Sequence, residues 1–555
     1  MRSIQTITTM GVLILLSSCG GNTGTTTSLS TLFDGAASAI APVVESIVQS
    51  TSEKISISPL AITASAPVSY YAASRFLEQA SWGPTPQSIA DVQSMGMSAW
   101  IDQQLLQPPS LSNAPDYVID YTPDDGVTAV RAGEWWPTRF MAISLSGTDQ
   151  LRQRVSWALY NYIPVNTGYA YLIPAFFDVL QQNGLSNYTQ LLNAVTLSDS
   201  MADFLNLNQN VAGSPNENYA REVMQVFSVG MNMLNPDGSY QTDSSGNPLP
   251  TYTQTDVINA TKALSGWQNP YLKTPRTNTA NYGASMVPRS GNNHDTTQKV
   301  VLGKTIPAGQ TIQQDLASFI NILVTHPNTA PFVSRRLIQS LVTSTPSPAY
   351  LSRISAVFTS TQGDMSKVIK AILLDPEARA GDDPGNKSAV AGKIKEPILI
   401  QNEALRALGC VTTVYSRNNP TQALSFGQSP YNAPNVFGYY SPDYKAPVSL
   451  FNAPEETLLT INSLQNFNNL DYQINGTGFA NAGCQISTFT DAATTSDAAL
   501  VELLNQRFFR GAMPANLRLG VSTLLAGNLS SKPALDKVGY LVGMLLSSPI
   551  YGVVK

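Results

Sequence analysis

The sequence predicts a mainly α-helical protein, a large multi-helix globular body with long irregular loops and at most a small β ribbon. Three observations lead to that class. From residue 68 onward apolar residues recur at helical spacing in one run after another. One run, 217–229, is bounded by Pro215 and Asn216 at its start and Gly230 at its stop, and the runs ending at 374 and 546 stop just before a proline. Strand signals are weak: Lys299-Val300-Val301-Leu302 is the best of them, and a small ribbon fits residues 240–253.

In chain order, residues 71–79, 87–95 and 99–105 make a compact helical start. Trp82-Gly83-Pro84-Thr85-Pro86 punctuates it, because proline cannot continue a helix. Helical runs follow at 131–144, 149–162, 174–182 and, in two pieces, 189–205. The best-bounded helix spans 217–229: Asn216 is its N-cap candidate, Pro215 cannot extend it backwards, and Gly230 suits the left-handed position after its last turn. Then come 255–264, 312–325, 331–342, 348–358, 364–374 and 393–408. After a long irregular stretch helices return at 454–464, 498–506, 516–525 and 533–546.

At 555 residues the chain is long enough for one large domain or for two to three ordinary ones. Its hydrophobic content of 43% is ordinary, but 12% charged is about half the usual share. Ser, Thr, Asn, Gln and Tyr must therefore supply much of the polar surface. The 32 basic and 37 acidic residues are unsegregated, with no basic stripe or arginine-rich arm, which argues against nucleic acid as a partner.

The first residues give an address. Arg2 forms a short positive start, residues 10–16 are mostly apolar, and Leu16-Ser17-Ser18-Cys19 matches the bacterial lipobox. The apolar stretch is too short to span a bilayer. Residues 1–18 are expected to be a lipoprotein signal peptide, with Cys19 carrying the lipid; the plainer reading is a secretory signal that happens to contain a cysteine. Residues 19–66, rich in Ser, Thr, Gly and Ala, read as a tether. Residues 67–465 are the expected helical body, and 466–555 a C-terminal helical part continuous with it. The localisation that follows is the bacterial cell envelope. Gly20 after Cys19, by resemblance to lipoprotein sorting generally, favours the outer membrane.

Cys410 and Cys484 remain. In an oxidising compartment they either pair with each other or stay as two separate buried thiols; the sequence holds no measure of their separation. No zinc or haem-attachment spacing is present, and no elbow, zincin, phosphate-loop or kinase motif.

The chemistry-bearing segment is Ser214-Pro215-Asn216-Glu217-Asn218-Tyr219-Ala220-Arg221-Glu222, running on to Gln225. At roughly 100° per residue, Tyr219, Ala220, Val223, Met224, Val226 and Phe227 share one face. Asn218, Arg221, Glu222 and Gln225 share the other. Glu217 and Arg221 stand four apart in the favourable acid-first order. The bland reading is a solvated face. The functional one makes Glu217, Arg221 and Glu222 candidate catalytic groups, with Asn216, Asn218 and Gln225 as candidate binding amides.

Only two histidines exist. His294-Asp295 sits in a polar turn before the 299–302 strand. Brought over the Asn218–Glu222 face, it would put one imidazole and up to three carboxylates in one pocket, a set suited to general acid–base work or to a divalent cation of unknown identity. The alternative is a turn whose Asp caps backbone amides. His326, between two helices, reads as a junction residue. In the stretch 427–447, Tyr431, Phe437, Tyr439, Tyr440 and Tyr444 alternate with prolines. They form either a stacking wall for sugars or peptides, or a loop tacked down by its own aromatics. Trp135-Trp136 is read as a packing pair.

An ordered series of segments resembles a bacterial secreted family catalogued as domain of unknown function 1800. It begins with Arg75-Phe76-Leu77, Trp82-Gly83-Pro84-Thr85, Gly96-Met97-Ser98-Ala99-Trp100 and Leu151-Arg152-Gln153-Arg154-Val155. It continues through the segment from Asn216 to Gly230, Tyr252-Thr253-Gln254, Leu264-Ser265-Gly266-Trp267, His294-Asp295 and Leu302-Gly303. It ends with His326-Pro327-Asn328, Glu396-Pro397, Gly427-Gln428 and Pro442-Asp443-Tyr444. The resemblance covers most of the chain from about residue 71. It brings no accepted catalytic residues. It departs from the family's pattern at Gln225, where a glutamate is usual, and at Lys262, where an arginine is usual. It also implies a partner, since similar proteins are often encoded beside a secreted family that looks like sulfatases and alkaline phosphatases.

Two functions follow as expectations. One is a lipid-anchored helical module that binds a secreted partner protein or a polymer. The other is a hydrolase, metal-assisted or not, built on Glu217, Arg221, Glu222, His294 and Asp295.

Overall fold

The computed structural model describes residues 67–114, 126–167, 172–270, 283–385, 392–411, 428–445, 452–460, 463 and 484–554. Twenty helices and three two-stranded antiparallel ribbons make up the regular structure of these residues, a mainly α architecture. The expected signal peptide, the expected tether and Cys19 lie outside the described residues.

Capping chemistry starts most helices where the sequence placed them. Ser69 caps α1 (Tyr70–Ala80), and Thr85 with Ser88 forms a reciprocal capping box at α2 (Pro86–Met95), which leads into α3 (Met97–Leu105). Gly83 lies between them at φ +123°, and a Cβ there would meet the Glu403 backbone at 2.8 Å, so only glycine fits. Next come α4 (Gly126–Ser146) and α5 (Gln150–Tyr160). They are followed by α6 (Leu172–Asn183), α7 (Tyr188–Thr196) and α8 (Asp199–Phe204). All of α5 except Arg152 is buried, and it packs on α1, α3 and α6. It is the central helix, yet it carries Gln150, Gln153 and Arg154.

The helix expected at 217–229 is shorter, α9 (Asn218–Gln225). Its end widens because the Ser228 hydroxyl takes the Val223 carbonyl at 2.5 Å and Gly230 N reaches back to Met224 O at 2.9 Å. Gly230 does take the left-handed conformation, φ +73°. The Asn216 carboxamide accepts from Asn218 N at 3.1 Å in an Asx turn, and Glu217 occupies the N-cap position. The expected ribbon is a set of bridges that begins earlier: Asn232 with Pro250, Leu234 with Tyr240 and Thr242 with Pro248.

After α10 (Gln254–Ala263), β1 (Trp267–Gln268) pairs with β2 (Val287–Pro288), and β3 (Lys299–Val301) with β4 (Lys304–Ile306). Then follow α11 (Ile312–Thr325), α12 (Thr329–Leu341), α13 (Pro348–Ser360), α14 (Met365–Leu374) and α15 (Pro376–Arg379). Helix α12 packs on α5 and α13. The run expected as one helix at 393–408 is a strand, β5 (Lys393–Ile394), then α16 (Pro397–Ala407), since Pro397 takes the first helical position. Helix α16 is buried throughout. Residues 454–458 form a 3₁₀ turn, not the expected helix.

The C-terminal part is α17 (Ile486–Thr495), α18 (Asp497–Phe509), α19 (Ala515–Ala526) and α20 (Ala534–Leu546), ending in β6 (Val553–Val554). Helix α17, short and rich in Ser, Thr and Ala with Phe489 and Ala493 as its buried residues, was not expected. β6 pairs with β5, and Arg510 meets Glu78 of α1 at 2.6 Å. A disulfide joins Cys410 to Cys484.

One continuous core runs through the body. Its aromatic centre gathers Trp136, Phe140, Trp157, Tyr160, Phe177 and Tyr431, in edge-on and tilted contacts. Charged pairs are buried beside it, Lys395 with Glu403 at 2.7 Å, Lys393 with Glu455 at 2.9 Å and Lys299 with Asp315 at 2.5 Å, and the buried Arg75 meets the half-buried Asp382 at 2.9 Å. Each satisfies a charge that would cost several kcal/mol if left alone (roughly 3–5 when one partner is removed).

Candidate functional site

The polar residues of α9 and the 294–295 turn make two arrangements with different partners. On α9, Arg221 donates to Glu217 at 2.9 Å and to Gln254 at 3.0 Å, and Gln254 donates back to Glu217 at 2.9 Å. Both charged side chains are more than a third exposed, and Asn218 is fully on the surface, so this triad braces α9 against the start of α10 in solvent. Glu222 differs. It is half-buried, its Oε2 is buried with no hydrogen-bond partner among the described residues, and burial raises its carboxyl above the ordinary range against the opposing pull of Arg221.

His294 turns inward. Its Nδ1 lies 2.9 Å from the Ser265 carbonyl, and its Nε2 lies 3.1 Å from Asp315, which is fully buried and also takes Lys299. Asp295 caps the turn by accepting from Thr297 N at 2.8 Å. Burial would raise the Asp295 carboxyl, but the Thr297 hydrogen bonds outweigh it and, with Lys299 and Lys262, hold it below its ordinary value. No hydrogen bond or ion pair among the described residues links Glu217, Arg221 or Glu222 to His294 or Asp295. The contacts expected between the two groups are therefore not made: the 294 turn is tied through Ser265 and Asp315 to the end of α10, β3 and α11, where the buried Asp315 takes Lys299 and lies 3.1 Å from His294 Nε2. His326 accepts from Asn328 N at 3.2 Å at the α11–α12 junction.

The cleft lies elsewhere. About 200 Å³ is enclosed by the end of α9, the segment 230–234, the ribbon residue Tyr240, α12 and the loop 437–443. Of the polar residues singled out on α9, Gln225 lines it, accepting from Tyr252 at 3.0 Å. Asn328, itself fully buried, pins one wall: its amide donates to Asn232 O at 2.9 Å and to Val229 O, and its oxygen takes Leu234 N. Gly230 sits against the Phe332 ring, where a Cβ would come to 2.7 Å. On the floor of this cleft are two consecutive guanidinium groups. Arg336 makes a two-pronged pair with Asp443, 3.1 and 3.3 Å, and lies 5.1 Å over Phe332. Arg335 donates to Gly238 O and has no carboxylate within ion-pair distance among the described residues. Met231, Tyr240 and Phe437 stand on the rim, each more than half exposed.

A second chamber of about 20 Å³, room for a water, shares Asn161, Tyr162, Arg336 and Pro442 with the cleft and reaches Tyr440 and Glu455. Behind it Glu396, fully buried, accepts from Trp157 at 3.0 Å, Gln428 at 2.8 Å and Asn161 at 3.2 Å. Burial raises the Glu455 carboxyl, and Lys393 only partly offsets this.

The aromatic stretch divides. Tyr431 is fully buried, in the left-handed conformation, within the aromatic centre, so it is not a stacking surface. Tyr439 stacks on Trp157, Tyr440 takes a hydrogen bond from Asn161 at 3.3 Å, and Tyr444 is half-buried beside Asp443. Trp135 and Trp136 are core. Arg335 and Tyr240 were not singled out as site residues from the sequence, whereas Phe437 was named there within the aromatic stretch and lies at the rim. Two adjacent arginines in a chain so poor in charge were the available signal.

Among the described residues no group of three or more His, Cys, Asp and Glu side chains converges as a metal site, and no helix is long and apolar enough to cross a membrane. No curated protein and no solved structure matches the chain. The family described as Protein of unknown function (DUF1800) matches residues 75–553, most of the chain and all of the elements that build the cleft, and the protein belongs to that family.

Proposed function

We propose that the protein is a lipid-anchored module of the bacterial cell envelope, held through Cys19, whose helical body binds a secreted partner protein or a polymer in the Arg335–Arg336 cleft. The observation that carries the reading is the cleft's composition. Exposed Met231, Tyr240 and Phe437 ring a floor of guanidinium and amide groups, a wall pattern suited to recognition. The lipobox at residues 16–19 and the polar tether support the anchor, and outer-membrane retention is the proposed destination. The sulfatase- or phosphatase-like neighbour is the proposed protein partner. Two measurements test this. Cys19→Ser must leave unprocessed precursor and abolish detergent partitioning. Tyr240→Ala with Phe437→Ala must lose binding to the purified neighbour and to envelope polysaccharide while keeping the wild-type melting profile. A variant that binds both as well as wild type removes the cleft from the account.

Glu222 favours a second reading, a hydrolase. A half-buried carboxyl with a raised pKa and an oxygen without a hydrogen-bond partner among the described residues, four residues after Asn218, has the properties of a general acid. Glu222→Ala would then abolish complementation with the thermal midpoint intact, and a fully complementing variant ends this reading.

A further inference from the structure

Resting on the binding function proposed above, we infer that the cleft recognises an acidic sugar unit, a carboxylated or sulfated residue of a polysaccharide, and that Asp443 occupies the position of the ligand's acid group when the cleft is empty. Two guanidinium groups face one carboxylate across this floor. Arg336 has spent its fork on Asp443, whose side chain is 57% exposed and sits on a loop, so exchange for a ligand's acid costs little burial. Arg335 has no carboxylate within ion-pair distance among the described residues, and Asp443 and Asp237 act on its charge only from farther off. Together they form a clamp for a planar or tetrahedral anion once Asp443 yields.

The remaining walls select the class. Tyr240 and Phe437 present exposed rings at the rim, suited to the C–H faces of a pyranose. Asn161, Gln225 and Asn232 supply amides for hydroxyl groups, and Asn161 Oδ1 is buried without a hydrogen-bond partner among the described residues. A cleft of about 200 Å³ holds one sugar ring with its substituents. An acidic peptide would satisfy the arginines but leaves the ring-faced rim and the amides without a reason.

The test is calorimetric titration of the mature, lipidated protein in detergent micelles. The probes are a polygalacturonate hexamer, a chondroitin sulfate hexasaccharide, cellohexaose and a hexaglutamate peptide. The expected result is binding of one or both acidic sugars over cellohexaose and peptide. Arg335→Gln should weaken it by about tenfold or more, the worth of one charge-assisted hydrogen bond. Asp443→Asn should tighten it several-fold by removing the competitor, an effect no structural brace would give. The two acidic sugars separate carboxylate from sulfate recognition. Tighter binding of cellohexaose, with Asp443→Asn indifferent, overturns the acid-sugar assignment and leaves the polymer-binding reading standing. Preference for hexaglutamate overturns the sugar class. Failure of all four probes overturns this inference, and the function itself falls only if the neighbour protein also fails to bind.

Discussion

Asp315 gives the sharpest test of how the interior is held. It has no solvent exposure, and its Oδ2 lies 2.5 Å from Lys299 and 3.1 Å from His294. Asp315→Asn keeps the shape and removes the charge. Lys299, whose side chain is likewise unexposed, then keeps a neutral carboxamide oxygen, the Asp295 carbonyl and a single carboxylate 4.0 Å away. Stranding a buried cation of this kind costs roughly 3–5 kcal/mol, and the residual Asp295 carboxylate puts the expectation near the lower figure. The paired variant Lys299→Met with Asp315→Leu removes both charges and should return to within about 1–2 kcal/mol of wild type, since a packed apolar pair replaces an ion pair at little cost. The assay is urea unfolding followed by far-ultraviolet dichroism and tryptophan fluorescence, with coincident transitions required before free energies are compared. A loss below about 1 kcal/mol for Asp315→Asn, or a double variant as unstable as the sum of the singles, would show that the pair is not coupled as described.

Three further outcomes are expected. Asp199, buried on α8, has its carboxyl pushed up to about 7 from an ordinary 3.8, chiefly by burial. Its charged form therefore subtracts stability above that range. Asp199→Asn should be more stable than wild type at pH 8, by up to about 4 kcal/mol, with the gain shrinking as pH falls through 7 and gone below 3.8; pH-dependent thermal midpoints measure it. Glu222 has the same sign. Glu222→Gln should raise the midpoint at neutral pH and match wild type once the pH is below the ordinary 4.5, and a destabilised variant at pH 7 would contradict the burial described. Reducing the Cys410–Cys484 bond, which spans 74 positions, should cost up to about 4 kcal/mol in the chain-entropy limit, and thiol titration of the unfolded, unreduced protein should find neither cysteine free.

Much of the fold was legible because its determinants are local. Thr85-Pro86, Thr253 with Asp256, Thr311 with Gln314 and Ser347-Pro348 start helices within a residue of where the periodicity put them. Where local pattern failed, a distant contact or a weak period decided. Pro397 and the pairing with β6 divided residues 393–408, and Ser228 cut α9 short. The 294–295 turn could be recognised as polar and structured, but not assigned to Asp315, because nothing near it in sequence shows that α11 begins with a buried acid. The cleft was least legible. Arg336 and Asp443 are 107 positions apart, and helical periodicity treats Arg335-Arg336 as any polar edge. Gln225 was singled out on α9, and the structure puts it at the cleft wall.

The internal placement of charge has a bearing on salt. Ion pairs such as Lys299–Asp315 and Lys393–Glu455 lie where mobile counterions do not reach, whereas the Debye length of about 8 Å at physiological ionic strength governs what happens at the open cleft, where Asp443 is 57% exposed. Ionic strength should therefore act on the two properties separately, weakening capture of an anion at Arg335 while leaving the folded body indifferent. On the function proposed above, a charged polymer would be released when the surroundings turn briny, and the body would remain intact to take it up again.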